Sequence, residues 1–347
     1  MKVLFLTYPR IGLNRGGLQI QIEETAKGLA QRGVEVIFYD PWRNQIPDVD
    51  VCHVFSIDGA VVSHVQRSIG SGKPVIVSSV LNLFHVPPSL MRMKVLSSRF
   101  IPGMYSDLKR ANLMLHAASR VIALNENERK LLSTIFSLPS DRIVTIPNGL
   151  KASFATGDPL LFEEKYGVKD FVLNVASIEE RKNQLTLIRA MKSLPYPLVI
   201  IGKILSEQEE YISRCRAQAN KRVIFTGSLA HDDPILASAY RAAKLFVLPS
   251  FSEVMPLTLY EASVAGCRVV ASKNVPVARP LQHLVPVFDP HSPEDLASLI
   301  TTEMEKPPTL ELQSIVRDMP SWQQVCQQIH GSYENALTGL NSSERHK

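Results

Sequence analysis

The sequence is poor in cysteine and has no long apolar run. Its four cysteines are scattered and form no C-x-x-C pair. This excludes a zinc cluster of the usual ligand spacing and the disulfide framework of a small secreted domain. No stretch approaches the ~20 apolar residues that cross a bilayer, and the apolar run at the N-terminus is too short for a signal-peptide core. We therefore expect a cytoplasmic protein without membrane-spanning segments.

Two common phosphate-binding loops are missing as well. The sequence contains neither the G-x-G-x-x-G dinucleotide fingerprint nor the Gly-Lys-Ser/Thr end of a P-loop. The loop after the first predicted strand carries the pair Gly16-Gly17 instead. Because glycine has no Cβ, this pair allows a ligand to approach the backbone closely, although by itself it does not identify the ligand.

A regular alternation of strand and helix patterns runs through the 347 residues. It predicts an α/β protein made of two Rossmann-like, doubly wound parallel-sheet domains that face a cleft. The predicted domains cover residues 1–160 and 161–320, and residues 321–347 form a C-terminal helix that crosses back to the N-terminal domain. The predicted strands are Val3–Thr7, Val34–Tyr39, Val51–Phe55, Val75–Ser79, Val121–Leu124, Ile143–Ile146, Phe171–Ala176, Leu198–Ile201, Val223–Thr226, Leu245–Leu248 and Val269–Ala271.

Positive charge is concentrated in the first half of the chain. Residues 1–150 hold 17 Lys+Arg against 11 Asp+Glu, and the remainder holds 21 against 22, which indicates an anionic partner on the first half. Within it, residues 85–105 begin at His85 and contain Arg92, Lys94 and Arg99 among apolar residues, with no acid. This segment predicts a surface for anionic lipid or a lipid diphosphate acceptor. The alternative is a core helix with basic outer positions.

Two glutamates flank a predicted helix start in the stretch Pro249–Ala262. Glu253 lies in the loop after a strand, and Glu261 follows about two turns into the helix. Between them, Met255 precedes Pro256, which is predicted to be the first helical residue. The backbone amides near Leu257 and Thr258 can hold a phosphate at this helix N-terminus. Carboxylates on both sides of a phosphate suit a nucleotide sugar, whereas spacing alone favours two solvated glutamates.

A basic loop follows the first strand of the second predicted domain. It runs from Ser177 to Asn183 and contains the adjacent cations Arg181 and Lys182. Two cations at a strand's carboxyl end, beside a helix N-terminus, suit a leaving diphosphate. A solvated run of charges explains the same residues equally well when they are taken alone.

Taken together, these motifs resemble the GT-B glycosyltransferases of family four, the large retaining family also called glycosyl transferases group 1. The glutamate pair matches that family's E-x7-E motif, and Arg181-Lys182-Asn183 matches its R/K-K-N/G element. Gly16-Gly17 matches its first-loop glycines, and Pro147-Asn148-Gly149 matches its P-N-G turn. The resemblance covers nearly the whole chain, from Lys2 to about Leu337.

The resemblance implies a role for each of these residues. Glu261 would bind the donor ribose, and Glu253 with the amides that follow it would hold the donor sugar. The other predicted donor-binding residues are Gly16, Gly17, Ser177, Met255, Leu257 and Thr258. Arg181 and Lys182 would neutralise the diphosphate, so that no metal or other cofactor is required. The reaction would retain the anomeric configuration by front-face displacement.

Three positions depart from the family pattern. The Gly-Arg pair common at the second-domain loop is Ala176-Ser177 here, and Arg181 would replace the lost cation. The glycine that usually follows the first glutamate is Val254, which would reshape the sugar pocket. His85 stands near the position of a family histidine and is assigned to the acceptor side.

The sequence therefore predicts a transferase that moves a sugar from a nucleotide donor to a saccharide or lipid-linked glycan acceptor. The setting would be cell-surface polysaccharide assembly at the cytoplasmic face of the membrane, with no nucleic-acid partner. A nucleotide-sugar epimerase or phosphorylase on the same fold, and a remnant that only binds glycan or lipid, stay open as alternatives. The base, the sugar, the linkage and the oligomeric state are not determined by the sequence.

Overall fold

The computed structural model describes residues 1–8, 11, 16–40, 47–58, 61–62, 65, 72–83, 86–101, 103, 106–307 and 310–343. The chain divides into two compact units. The first comprises Met1–Gly149 together with Trp322–Lys347, and the second comprises Leu150–Ser321. The change of unit thus falls at Leu150, before the expected boundary near residue 160. No described helix combines the length and the apolar character needed to cross a membrane.

The first unit is a parallel sheet with helices around it. Its described strands are β1 (Lys2–Leu6), β2 (Glu35–Phe38), β3 (Val51–Phe55), β4 (Val75–Ser78), β5 (Arg120–Ala123) and β6 (Ile143–Thr145). They pair in the order β2-β1-β3-β4-β5-β6, all parallel. Its described helices are α1 (Gly17–Ala30), α2 (Pro88–Phe100), α3 (Ser106–Ala117), α4 (Glu126–Phe136) and, from the end of the chain, α12 (Trp322–Ser343).

The central strands of this sheet are continuous apolar runs because both faces are covered. Every residue of β3 and β4 is buried, as expected for parallel strands between helical layers. The buried His53 of β3 lies with Nδ1 2.6 Å from the Tyr333 hydroxyl and Nε2 2.8 Å from Ser78 Oγ. Burial lowers the His53 pKa to about 3, so this imidazole is neutral and joins β3, β4 and α12 in the core.

The second unit repeats the same design. Its strands are β7 (Val172–Val175), β8 (Leu198–Ile201), β9 (Val223–Gly227), β10 (Leu245–Leu248), β11 (Arg268–Ser272) and β12 (Val287–Phe288). They pair in the order β12-β11-β10-β7-β8-β9, all parallel. Its described helices are α5 (Pro159–Tyr166), α6 (Gln184–Met191), α7 (Glu209–Gln218), α8 (Pro234–Ala242), α9 (Leu257–Val264), α10 (Pro293–Met304) and α11 (Leu310–Arg317).

The predicted fold class is confirmed, since all the predicted strands form and each unit is doubly wound. The strand order reverses between β7 and β10, which are neighbours in the sheet although two other strands separate them in sequence. In sheets of this type ligands bind outside the carboxyl ends of the strands at such a reversal. The loops that follow β7 and β10 are therefore the place to look for a site in the second unit.

Candidate functional site

The loops after β7 and β10 bring the predicted cations and the first glutamate together. Lys182 Nζ lies 2.5 Å from Glu253 Oε1, and Arg181 Nη1 lies 3.5 Å from Glu253 Oε2. Ser250 Oγ donates a hydrogen bond of 2.6 Å to the same Glu253 Oε1. These groups meet although 71 residues separate Lys182 from Glu253 in sequence, because β7 and β10 are adjacent strands.

The Glu253 side chain is only 8% exposed, and its charge state follows from its neighbours. Burial by itself would raise the pKa of this carboxyl, but the ammonium of Lys182 and the guanidinium of Arg181 outweigh it and hold the Glu253 pKa below its ordinary value. Glu253 is therefore a carboxylate near neutral pH. In that state it can accept hydrogen bonds, as a sugar hydroxyl would require, and it cannot donate one.

Arg181 is held by a second carboxylate on its other side. Its Nη2 donates to Glu179 Oε1 at 2.7 Å, and Ser177 Oγ donates to the same oxygen at 2.8 Å. Arg181 Nη1 also donates to the Ser252 carbonyl at 2.8 Å. The guanidinium is thus fixed in one orientation, with its cation balanced by the carboxylates of Glu179 and Glu253.

Asn183 connects three loops at the carboxyl ends of the strands. Its side-chain amide donates to the Pro249 carbonyl at 3.1 Å and to the Pro290 carbonyl at 2.8 Å. Its backbone is left-handed, with φ +57°, a conformation that asparagine and glycine adopt most readily. This explains why asparagine follows the two cations, since another residue type would lose the conformation, the loop contacts or both.

Gly202, which follows β8, lets the basic loop approach the sheet. A Cβ on Gly202 would overlap the carbonyl oxygen of Ala176, at the start of the Ser177–Asn183 loop. Neighbouring backbone contacts fix this approach, since the Ala176 amide donates to the Ile201 carbonyl at 3.0 Å. The need for glycine here is steric, because its neighbour is backbone that cannot rotate away.

A Gly202→Ala substitution is expected to destabilise the second unit by about 3 kcal/mol, the upper part of the usual range for overpacking. It should also weaken the nucleotide binding that the sequence predicts, because the loop that carries Arg181 and Lys182 is displaced. Denaturant unfolding and calorimetric titration measure the two effects. Gly331→Ala is the matched control, since a Cβ at Gly331 meets no atom within 4 Å in the described structure; equal destabilisation by both variants would contradict the argument.

The helix that carries the second glutamate begins one residue later than expected. Pro256 is the N-cap of α9 rather than its first helical residue. The Leu257 amide donates to the Met255 carbonyl at 3.0 Å, so this amide is already engaged in a tight turn. The Leu259 and Tyr260 amides both donate to the Pro256 carbonyl, at 3.1 and 3.4 Å. Phosphate binding therefore stays a prediction for the Thr258 amide.

Glu261 belongs to a second, separate group of side chains. Its Oε1 lies 2.7 Å from His231 Nε2, and its Oε2 accepts a hydrogen bond of 2.8 Å from the Tyr240 hydroxyl. Burial, and then the neighbouring charge of Glu261, raise the Tyr240 pKa well above its ordinary value, so the phenol keeps its proton and donates. Sequence reasoning missed His231 and Tyr240, and only the position of His231 between β9 and α8 could have pointed to it.

The remaining predicted residues lie in the first unit. Gly16 and Gly17 are exposed at the start of α1, and a Cβ at either would meet no described atom within 4 Å. Arg92, Lys94 and Arg99 lie on α2. His85 lies outside the described residues.

Comparison with known families and sequences gives a consistent result. Residues 162–315 match the family model described as glycosyl transferases group 1. The chain is 31% identical over 194 residues to the serotype-specific mannosyltransferase WbdA of Escherichia coli, covering 52% of this chain and 24% of that protein. It is 26% identical over 205 residues to the O-antigen chain mannosyltransferase B of Escherichia coli, covering 55% and 53%. The chain therefore matches only a quarter to a half of the length of these relatives.

Solved structures resemble the chain over nearly its full length. A crystal structure of Anabaena Alr3699/HepE in complex with UDP and glucose has a TM-score of 0.73 at 19% identity and covers 96% of this chain and 100% of that one. Sucrose-phosphate synthase from Thermosynechococcus elongatus has a TM-score of 0.76 at 16% identity and covers 97% and 99%. At these identities the likeness establishes the fold.

Proposed function

From the premise that this chain has the GT-B fold and carries a glycosyl transferases group 1 domain over residues 162–315, we propose that it transfers a sugar from a nucleotide-diphosphate donor to a glycan acceptor. The observation that carries the proposal is the cluster of Arg181, Lys182 and Glu253 at the strand-order reversal. It combines two cations for a diphosphate with an ionised carboxylate for sugar hydroxyls.

The proposed chemistry is a displacement with retention. The bond between the anomeric carbon and the donor phosphate oxygen breaks, and a bond to the acceptor hydroxyl forms on the same face. The acceptor proton passes to the departing phosphate oxygen. Arg181 and Lys182 stabilise the charge that develops on the diphosphate, as preorganised cations in a partly buried site do most effectively, so the step needs no metal ion.

The two glutamates have separate tasks in this proposal. Glu253 accepts hydrogen bonds from the donor sugar, which its ionised state favours. Glu261 accepts hydrogen bonds from the ribose, with Tyr240 holding its second oxygen. Donor binding by Gly16 and Gly17 rests on their match to the first-loop glycines of the family alone. Ser177 keeps Glu179 in place beside Arg181.

A panel of nucleoside diphosphates and nucleotide sugars, with EDTA present, tests donor binding by thermal shift. A ligand at 100 times its Kd adds about 2.7 kcal/mol to the free energy of unfolding. We expect one nucleotide to stabilise the protein, and NMR of the product to show a retained anomeric configuration. Donor turnover without any acceptor would favour an epimerase or phosphorylase, and no response to any donor would favour a non-catalytic binding protein.

We further propose that the acceptor is a saccharide or lipid-linked glycan of cell-surface polysaccharide assembly, reached at the inner face of the plasma membrane. The similarity to an O-antigen chain mannosyltransferase supports the substrate class. The surface of α2 supports the location. Its buried side holds Val95 and Ser98, and its opposite side is an exposed apolar ridge of Leu90, Met93, Leu96 and Phe100.

The apolar ridge is strongly exposed and bordered by cations. Met93 is 59% exposed and Phe100 is 81% exposed. At helical spacing Arg92 and Arg99 border the ridge on one side and Lys94 borders it on the other. An apolar stripe between cations, with no acid from residue 86 to residue 101, fits the surface of an anionic bilayer.

Co-sedimentation with vesicles tests this membrane contact. Wild type should bind phosphatidylglycerol-containing vesicles and not pure phosphatidylcholine. A Met93→Gln/Phe100→Gln variant should bind at least about 10- to 100-fold more weakly, because burying even one such side chain contributes roughly 1.5–3 kcal/mol. Leu160→Gln, which alters a leucine that is 53% exposed in the second unit, is the control. Equal binding by wild type and the double variant would refute the contact.

A further inference from the structure

The His231 side chain has two ring nitrogens, and only one of them has a partner. Nε2 lies 2.7 Å from Glu261 Oε1. Nδ1 is buried and has no hydrogen-bond partner among the described residues. A buried polar atom without a partner costs free energy, so an orphan of this kind at a candidate site requires an explanation.

The Glu261 contact determines which nitrogen carries the proton. A carboxylate can only accept hydrogen bonds, so Nε2 donates and carries the ring proton. In the neutral imidazole Nδ1 is then a bare acceptor. The ring is also held in place, since Phe154 packs against His231 edge-to-face at 5.3 Å and against Tyr240 at 5.4 Å.

The loop around His231 borders an open space. A cavity of about 420 Å³ is lined by His231 and Asp233 on one side and by Lys151, Phe154 and Asp158 on the other. This volume falls in the range of about 300–1,000 Å³ that is usual for small-molecule sites. The cavity therefore gives a ligand access to the His231 side chain, which contacts the Glu261 carboxylate through Nε2.

We infer that His231 Nδ1 accepts a hydrogen bond from the nucleoside of the donor, either from a ribose hydroxyl or from an N–H of the base. This inference rests on the proposed function, because it requires a nucleotide at Glu261. His231 thus has two roles: its Nε2 positions the Glu261 carboxylate, and its Nδ1 binds the ligand. It is a binding residue that helps to set which nucleotides are accepted.

A pair of substitutions separates these roles. The amide nitrogen of glutamine can replace Nε2, so His231→Gln keeps the donor to Glu261 and loses the acceptor. Asparagine places its amide near the position of Nδ1, so His231→Asn keeps an acceptor and loses the Glu261 contact. Calorimetric titration with UDP, GDP, ADP and CDP identifies the nucleotide that wild type binds. We expect His231→Gln to bind it roughly threefold to tenfold more weakly, the loss of one hydrogen bond.

The 2′-deoxy form of the same nucleotide distinguishes the two sources of the hydrogen bond. If the 2′-hydroxyl is the donor, wild type and His231→Gln bind the deoxy form with equal affinity. If another nucleoside group is the donor, His231→Gln binds both forms more weakly than wild type by the same factor. ¹⁵N NMR of histidine-labelled wild type provides a test that needs no variant, since the unprotonated His231 nitrogen should shift upfield when nucleotide is added.

Two outcomes would overturn the inference, and they are distinguishable. Wild-type affinity in His231→Gln, together with an unmoved ¹⁵N resonance, would show that His231 does not contact the nucleotide while leaving the transferase proposal intact. A wild-type protein that binds none of the four nucleotides would refute both.

Discussion

A Lys182→Met variant is expected to transfer sugar about 100- to 1000-fold more slowly than wild type, with KM for the donor changed much less. Lys182 is the cation closest to Glu253, at 2.5 Å, and removing one preorganised group that stabilises developing charge typically reduces kcat by this factor. Methionine keeps most of the side-chain volume, so the substitution removes charge rather than packing. Initial rates over a range of donor concentrations give kcat and KM separately.

The same variant has a predictable effect on stability. The Glu253 pKa is lowered in the folded state, so its ionisation stabilises the fold above the unfolded pKa, and that contribution is lost as the pH falls through the folded pKa. Without Lys182 the carboxylate keeps Arg181 and Ser250. We therefore expect a loss of about 1–2 kcal/mol at pH 7, less than the ~3–5 kcal/mol seen when a buried charge loses its sole partner.

Lys169→Met is the control for both measurements. Lys169 is 74% exposed and pairs at 3.3 Å with Glu163 on the surface of the same unit, where an ion pair contributes little. Its kcat and stability should match those of wild type. A reduction of kcat below threefold in Lys182→Met would rule out Lys182 as the cation that assists departure of the diphosphate.

Two isosteric variants, Glu261→Gln and Glu253→Gln, should affect different parts of the donor. Glu261→Gln is expected to weaken binding of the free nucleoside diphosphate and of the nucleotide sugar by the same factor, about 10- to 100-fold. A hydrogen bond to a charged group contributes roughly 1.5–3 kcal/mol. Glu253→Gln should weaken binding of the nucleotide sugar. It should not weaken binding of the nucleoside diphosphate, because removal of this carboxylate leaves Arg181 and Lys182 less neutralised. Calorimetric titration of each variant with both ligands gives four affinities, each of which is compared with that of wild type.

The buried surroundings of Glu261 accommodate the amide. Tyr240 can still donate to the remaining carbonyl oxygen, and His231 can accept from the new amide nitrogen after its proton moves to the other ring nitrogen. Melting temperatures should therefore stay near that of wild type and serve as the control for folding. If Glu261→Gln weakened binding of the nucleotide sugar but not of the nucleoside diphosphate, Glu261 would contact the sugar instead of the nucleoside.

The secondary structure was largely predictable from local pattern. Largely apolar runs identify the buried strands of both sheets, because parallel strands covered on two faces need apolar residues at most positions. The exceptions are instructive. β12 has two residues and is too short to show a period. Pro256 was placed inside α9, whereas the local turn makes it the N-cap.

The first glutamate and the two cations were also visible in the sequence, since each directly follows a predicted strand. The contact between the glutamate and the cations was not visible in the sequence, because it depends on β7 and β10 being neighbours in the sheet. The same is true of the left-handed Asn183 and of Gly202, whose missing side chain matters only because the Ala176 carbonyl approaches it.

The side chains around Glu261 were the least predictable part of the site from the sequence. His231 lies 30 residues and Tyr240 lies 21 residues before Glu261, and neither belongs to a recognisable motif. The sequence by itself determined the elements, their alternation and the charged residues at strand ends, because these depend on short-range periodicity and residue chemistry. Only the tertiary structure decided which of those side chains form hydrogen bonds and ion pairs with one another, because strand order brings together loops and helices that are distant in sequence.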